Sequence, residues 1–203
     1  MVEEAKLVET ESGLEPDGQG WFVVNARDAA WWSHRDVFGY GCPFGSRDDS
    51  LFPELGITLR VLRPGEPNCR YHAESTQEDF LVLQGECLAL IEGEERPLKA
   101  WDFVHCPGGT EHVFVGAGTE PCVVLMVGAR KPGEDIVYPV SELALKHGAG
   151  VEKESHDPRD AYSDLDPPRH ARPPDQGLPW ACARRSSSRP TAGSSRRGAG
   201  GSS

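Results

Sequence analysis

The chain has 203 residues, enough for one domain with length to spare, and no apolar run long enough to span a bilayer. Its 32 acidic residues outweigh 21 basic ones for a net charge of −11, and because residues 167–203 hold seven Arg and one Asp, the first 166 residues carry about −17. A body this acidic repels nucleic acid and anionic membranes alike, which excludes both as partners.

In chain order, residues 1–19 are polar and broken by Gly and Pro, and predict a mobile N-terminal arm that lacks the apolar stretch of a secretory signal. The run G-W-F-V-V-N-A from Gly20 predicts the first strand. After it, Trp31, Trp32, Phe38, Tyr40 and Phe44 are too many large rings to leave in water, so this stretch folds over one end of the domain, lids a pocket or covers a partner. From Gly56 short strands alternate with Gly/Pro turns, the signature of an all-β sandwich or barrel: I-T-L-R-V-L, then D-F-L-V-L, E-C-L-A-L-I-E, D-F-V-H-C and V-F-V. The strand C-V-V-L-M-V-G-A is almost wholly apolar and is expected to be buried on both faces. The domain is placed at 20–140, followed at 141–154 by a short segment in which Ser141 caps S-E-L-A-L-K and Gly148 stops it. From 155 to 203 Pro, Arg, Ser and Gly dominate, and so little apolar surface predicts a disordered tail.

Four side chains in the β region have the chemistry of metal ligands. His72 and Glu74 are two apart, so on a strand they share a face; Ser75, Thr76 and Gln77 make a turn, and Glu78 opens the next strand on the same face as Phe80 and Val82. His112 follows the turn P-G-G-T-E and begins V-F-V. Gly65, His72, Glu78 and Gly85, followed by Pro107, Gly109 and His112, resemble the two ordered motifs of the cupin superfamily over residues 55–130. Three positions depart from that pattern. Glu74 stands where the family has a second His, Trp101 where it has an opening Gly, and Gly116 where it has a closing Asn. As a non-glycine residue at a turn, Trp101 is expected to keep φ below zero and reshape the corner. The resemblance implies a double-stranded β-helix, the cupin jelly roll, in the form of a small single-domain cupin.

His72, Glu74, Glu78 and His112 together form a hard, oxygen-leaning set that suits a divalent transition metal, Mn²⁺, Fe²⁺ or Ni²⁺ ahead of Zn²⁺. Two alternatives stand beside it: Glu74 stays outside a three-residue site, or all four residues are only hydrogen-bonded to one another and to water. Phe80, Val82, His105 and Phe114 are the expected pocket lining, with Cys106 a small buried residue. The resemblance points to a small metal-dependent enzyme, an oxygenase or isomerase acting on a small organic molecule, or alternatively to a non-catalytic binding or sensing cupin; no residue declares itself catalytic. Six cysteines without a C-x-x-C pair suit the cytoplasm. Apolar surplus in residues 21–44 predicts a two-fold homodimer.

Overall fold

The structure, a computed structural model, describes residues 1–34, 37–45 and 52–179. Its centre is a pair of antiparallel sheets packed face to face. The larger contains β3 (Trp31–Ser33), β4 (Tyr40–Pro43), β5 (Leu55–Leu62), β7 (Glu78–Gln84), β10 (Phe103–Cys106), β12 (Cys122–Ala129) and β14 (Arg169–Ala171), in the order β10-β7-β12-β5-β4-β3-β14. The smaller joins β8 (Glu86–Ile91), β9 (Glu94–Lys99) and β11 (His112–Ala117) in the order β11-β8-β9. A two-residue strand β6 (Ala73–Glu74) pairs with β13 (Ile136–Val137) at one end, and an isolated bridge ties His72 to His112 across the mouth. This is the all-β sandwich or barrel that the strand spacing predicts, in the jelly-roll form that the resemblance implies.

Alternation along each strand decides what lies between the sheets. Leu62, Phe80, Val82 and Val124 from the large sheet meet Cys87, Ala89 and Phe114 from the small one, with Cys106 and Cys122, in the central core. Burying one Val, Leu or Phe of this kind contributes about 1.5–3 kcal/mol. The opposite face of the large sheet carries Leu59, Val61 and Val123, covered by Ala29, Trp31, Cys42 and Leu178. The outer face of the small sheet carries Leu90, Val113 and Val115, covered by Tyr71 and by Ala144 of helix α1 (Glu142–Lys146). That helix forms as its sequence predicts: the Ser141 hydroxyl accepts from the Ala144 N–H, and Gly148 adopts φ 70° beyond the end.

Several expectations are overturned. Residues 1–19 are not a free arm: β1 (Lys6–Glu9) and β2 (Leu14–Asp17) form a hairpin, and Gly13 sits so close to the backbone of Ala29 that a Cβ there would lie 2.2 Å from its carbonyl oxygen. No strand forms at 20–26, where Val23 is exposed and Trp21 makes only a bridge to Glu4. The aromatic stretch instead supplies β3 and β4, which extend the large sheet. Tail residues 155–179 pack on the barrel through helix α2 (Pro158–Ala161), buried Ala161 and Leu178, and β14 paired to β3. Composition hides this because a few well-placed apolar residues suffice once a finished sheet edge is available to pair with. Residues 180–203, also expected to be disordered, lie outside the described residues. The strand β12 is buried at Cys122–Val124 and half-buried beyond, where its inner face opens onto a cavity. Trp101 takes φ 76°, not the negative value expected, so the corner keeps its glycine-like shape.

Candidate metal centre

Three elements bring the central side chains together. His72 stands just ahead of β6, Glu78 starts β7, and His112 starts β11, where His72 and His112 exchange backbone hydrogen bonds of 3.2 and 2.8 Å. The side chains of His72, Glu78 and His112 each point a ligand atom into one region, all within 4.8 Å of one another. Glu78 Oε2 lies 3.3 Å from His112 Nε2 and 4.0 Å from His72 Nε2.

The ring orientations are held from behind. His72 Nδ1 lies 2.7 Å from the Arg70 carbonyl and His112 Nδ1 lies 3.0 Å from that of Thr110. A carbonyl can only accept, so each Nδ1 carries the proton and each Nε2 turns a lone pair toward Glu78. The Nε2 of His112 is buried and makes no hydrogen bond, an uncommon and costly state for a native polar atom. Orphaned lone pairs backed by Nδ1–H···O=C bonds are how imidazoles are presented to metals, so the residues fit a divalent cation.

Electrostatics agree with that fit. Burial pulls His72 down to about 3, helped by the neighbouring His112, and burial also holds His112 below the usual imidazole range. Both rings are therefore neutral at neutral pH, and their contacts with Glu78 are not ion pairs. Burial, and then the charge of Glu74, push Glu78 up to about 8.

Of the four expected ligands, Glu74 is the one not drawn into the cluster. Its Oε1 is 3.8 Å from His72 Nε2, and the side chain is about one-third exposed on the cavity wall. Pairing of β6 with β13 (Glu74 opposite Ile136) holds it there. Burial and the charge of Glu134 raise its pKa.

Phe80, Val82 and Phe114 lie in the central core, beneath the cluster and not on the open wall; the Phe80 ring is 5.0 Å from that of His112. His105 is corrected outright: it points to solvent, with Nδ1 2.7 Å from Asp79 Oδ1. The alternation of β10 turns Cys106 inward in its place. The cavity above the cluster has a volume of about 470 Å³; Trp32, from the aromatic stretch, forms part of its wall, and much of the rest comes from residues the sequence did not single out: Arg60, Asn68, Cys69, Tyr138 and Tyr162. A lone cation at an inward position of I-T-L-R-V-L was the available signal for Arg60. Tyr162 had none, since its place depends on the docked tail.

Residues 58–128 match the family model described as Cupin domain. Among solved structures, the chain resembles a provisionally named sugar phosphate isomerase from Acidithiobacillus ferrooxidans, with 27% identity over 48% of this chain and 64% of that one, TM-score 0.42. It also resembles a sugar phosphate isomerase of the cupin superfamily from Silicibacter pomeroyi, with 24% identity over 48% and 62%, TM-score 0.42. A third likeness is to the polyketide cyclase RemF from Streptomyces resistomycificus, with 17% identity over 55% and 82%, TM-score 0.46. The chain thus spans under two-thirds of the two isomerases it matches. No curated protein matches it. No helix among the described residues is long and apolar enough to cross a membrane.

Proposed function

Since residues 58–128 form a cupin domain, we propose that the chain is a metal-dependent enzyme that moves a proton on a small organic molecule, an isomerase-type reaction. The observation that carries this reading is the buried, unpartnered Nε2 of His112, aimed with His72 Nε2 at the Glu78 carboxyl. His72, Glu78 and His112 would hold the ion, and two imidazoles with one carboxylate suit Mn²⁺, Fe²⁺ or Ni²⁺, with Zn²⁺ next. When bound, the metal supplies Lewis acidity to polarise a substrate oxygen.

The remaining work falls to the chain's own groups. Glu74 is near the cluster without belonging to it, and burial with the charge of Glu134 raises its pKa above the usual carboxylate range, the direction that helps a carboxyl return a proton it has taken. The Arg70 and Thr110 carbonyls keep the imidazoles in the Nδ1–H form. Phe80 and Phe114 beneath them exclude water from that side.

A second reading, an oxygenase, is favoured by the two-histidine, one-carboxylate set itself, which non-haem Fe²⁺ oxygenases use. A non-catalytic binding cupin is the third. One experiment separates them. Purified protein is assayed for metal, then given small oxo-acids, diketones and sugar phosphates in D₂O under an oxygen electrode. Metal-dependent deuterium incorporation supports the isomerase type, and oxygen uptake the oxygenase. Metal with neither leaves a binding protein, and absence of metal with no uptake on dialysis against Mn²⁺ or Fe²⁺ ends the metal reading. The five described cysteines are free thiols, which supports the proposed cytoplasmic location.

A further inference from the structure

The cavity wall carries a half-buried positive charge, Arg60, with which no carboxylate among the described residues pairs. Arg60 lies on the inward face of β5, opposite Gly41 of β4 and Val124 of β12, and its guanidinium carbon sits 4.1 Å over the ring of Trp32. Its Nη1 is buried without a hydrogen-bond partner, and among the described residues no carboxylate pairs with it. The other arginine on the cavity wall, Arg130, is already engaged, donating to the Phe52 carbonyl at 3.1 Å.

The arrangement is built around that guanidinium. Gly41 leaves room for the stack: a Cβ there would come within 2.7 Å of the Trp32 ring and 3.2 Å of Arg60 Nη1. The contact with the Trp32 ring holds the guanidinium in place on the cavity wall. An unpaired buried cation is costly in the free protein, and that cost is recovered only when an anion arrives. His72 and Glu78 line the same cavity as Arg60, so an anion on Arg60 would share that cavity with the residues of the candidate metal site.

Resting on the reading of this cavity as a small-molecule site, we propose that its substrates are small organic monocarboxylates. Arg60 holds the carboxylate, and Trp32 and Tyr138 flank the carbon frame. Charge decides against a phosphate. Glu74, Glu78 and Glu134 line the same cavity, and a dianion would leave one negative charge facing them with no second free cation among the described residues.

The test uses the full-length protein as purified, titrated with benzoate, its neutral isostere benzamide and inorganic phosphate, and followed by calorimetry and tryptophan fluorescence. Benzoate is expected to bind and to quench Trp32, with benzamide and phosphate at least tenfold weaker. Arg60→Met should weaken benzoate at least tenfold and melt no lower than the parent, since it removes an unpaired buried charge; Arg60→Lys should retain part of the affinity. Benzamide binding as well as benzoate, phosphate binding more tightly, or undiminished benzoate binding to Arg60→Met would each overturn the proposal. If Arg60→Met does not fold, the benzoate–benzamide comparison on the parent protein decides alone. His112→Ala keeps the test distinct from the metal reading: benzoate binding that survives there supports the Arg60 site even if no metal is ever found. Binding lost in His112→Ala yet kept in Arg60→Met would assign the carboxylate to the metal and end this inference.

Discussion

At the scale of single residues, Glu78 links the metal to pH. A carboxyl whose folded pKa is raised above its unfolded value stabilises the fold fully below the unfolded pKa, near 4.5, and loses that contribution as pH rises through the folded value, about 8. His72 and His112 act in the opposite sense, since their lowered pKa values cost stability only as pH falls below 6.5. Of these three groups, only the carboxyl titrates above pH 6.5. Metal-free protein should therefore lose roughly 1.5 kcal/mol between pH 6.5 and 8, visible in denaturant melts and absent in Glu78→Gln. By the same account, metal binding at pH 7 should release about one proton, and affinity should rise roughly tenfold per pH unit up to about 8. Calorimetry in buffers of different ionisation enthalpy measures that release, and a value near zero would mean that Glu78 does not ligate. Trp101 supplies a separate expectation. Its left-handed φ of 76° costs an L-residue about 1–2 kcal/mol, while its side chain is 75% exposed and buries little. Trp101→Gly should accordingly raise stability by about 1 kcal/mol, and an unchanged or lower melting temperature would show that the ring contributes more than its exposure suggests.

At the scale of elements, the C-terminal segment does more than its composition announces. Asp164 accepts from the Arg70 guanidinium at 2.6 and 2.7 Å, Arg70 donates also to the Gly150 carbonyl, and its own carbonyl orients His72. The Tyr162 hydroxyl accepts from the Arg70 N–H at 3.1 Å while its ring packs at 5.7 Å from Phe38. One residue thus joins the docked tail to a metal ligand. Leu178→Ala, at a site 2% exposed, should cost about 2–3 kcal/mol. Truncation after residue 156 removes Tyr162, β14 and Leu178 together, and should lower the melting temperature by roughly 10 °C. The sequence alone predicts no change on that truncation, so calorimetry distinguishes the two accounts directly.

At the scale of the molecule, the aromatic surplus that predicts a dimer is partly spent within the chain. Trp31 and Phe38 are each 1% exposed, Trp31 also donating to the Ala26 carbonyl at 2.8 Å. Among the described residues that stay apolar and open are Trp101 and, on β10 at the edge of the large sheet, Phe103, which is 63% exposed. An open edge flanked by exposed rings invites a second copy. We propose that two chains pair there about a two-fold axis. Light scattering at low micromolar concentration should give twice the chain mass, with Phe103→Glu monomeric; a monomeric parent protein would end the proposal.

The sequence by itself determined the barrel, because strand alternation and Gly/Pro turns are local properties. The left-handed Gly85 at φ 74°, against which a Cβ would meet the Pro121 carbonyl at 2.8 Å, can be read as a turn from one residue. It also brought out His72, Glu78 and His112, with Glu74, as candidate ligands, through strand-face alternation and the family resemblance. Only the tertiary structure decided the rest. Whether Glu74 joins the cluster depends on where β13 holds β6, and whether His105 or Cys106 turns inward depends on the register of β10 against β7. That Arg60 faces the cavity with no carboxylate paired to it among the described residues follows from Trp32, Gly41 and Tyr162 arriving from segments 28 residues before it to 102 residues after it. Local pattern fixes which face a side chain takes, but its neighbours on that face come from strands distant in sequence, and charge and solvation are set by those neighbours.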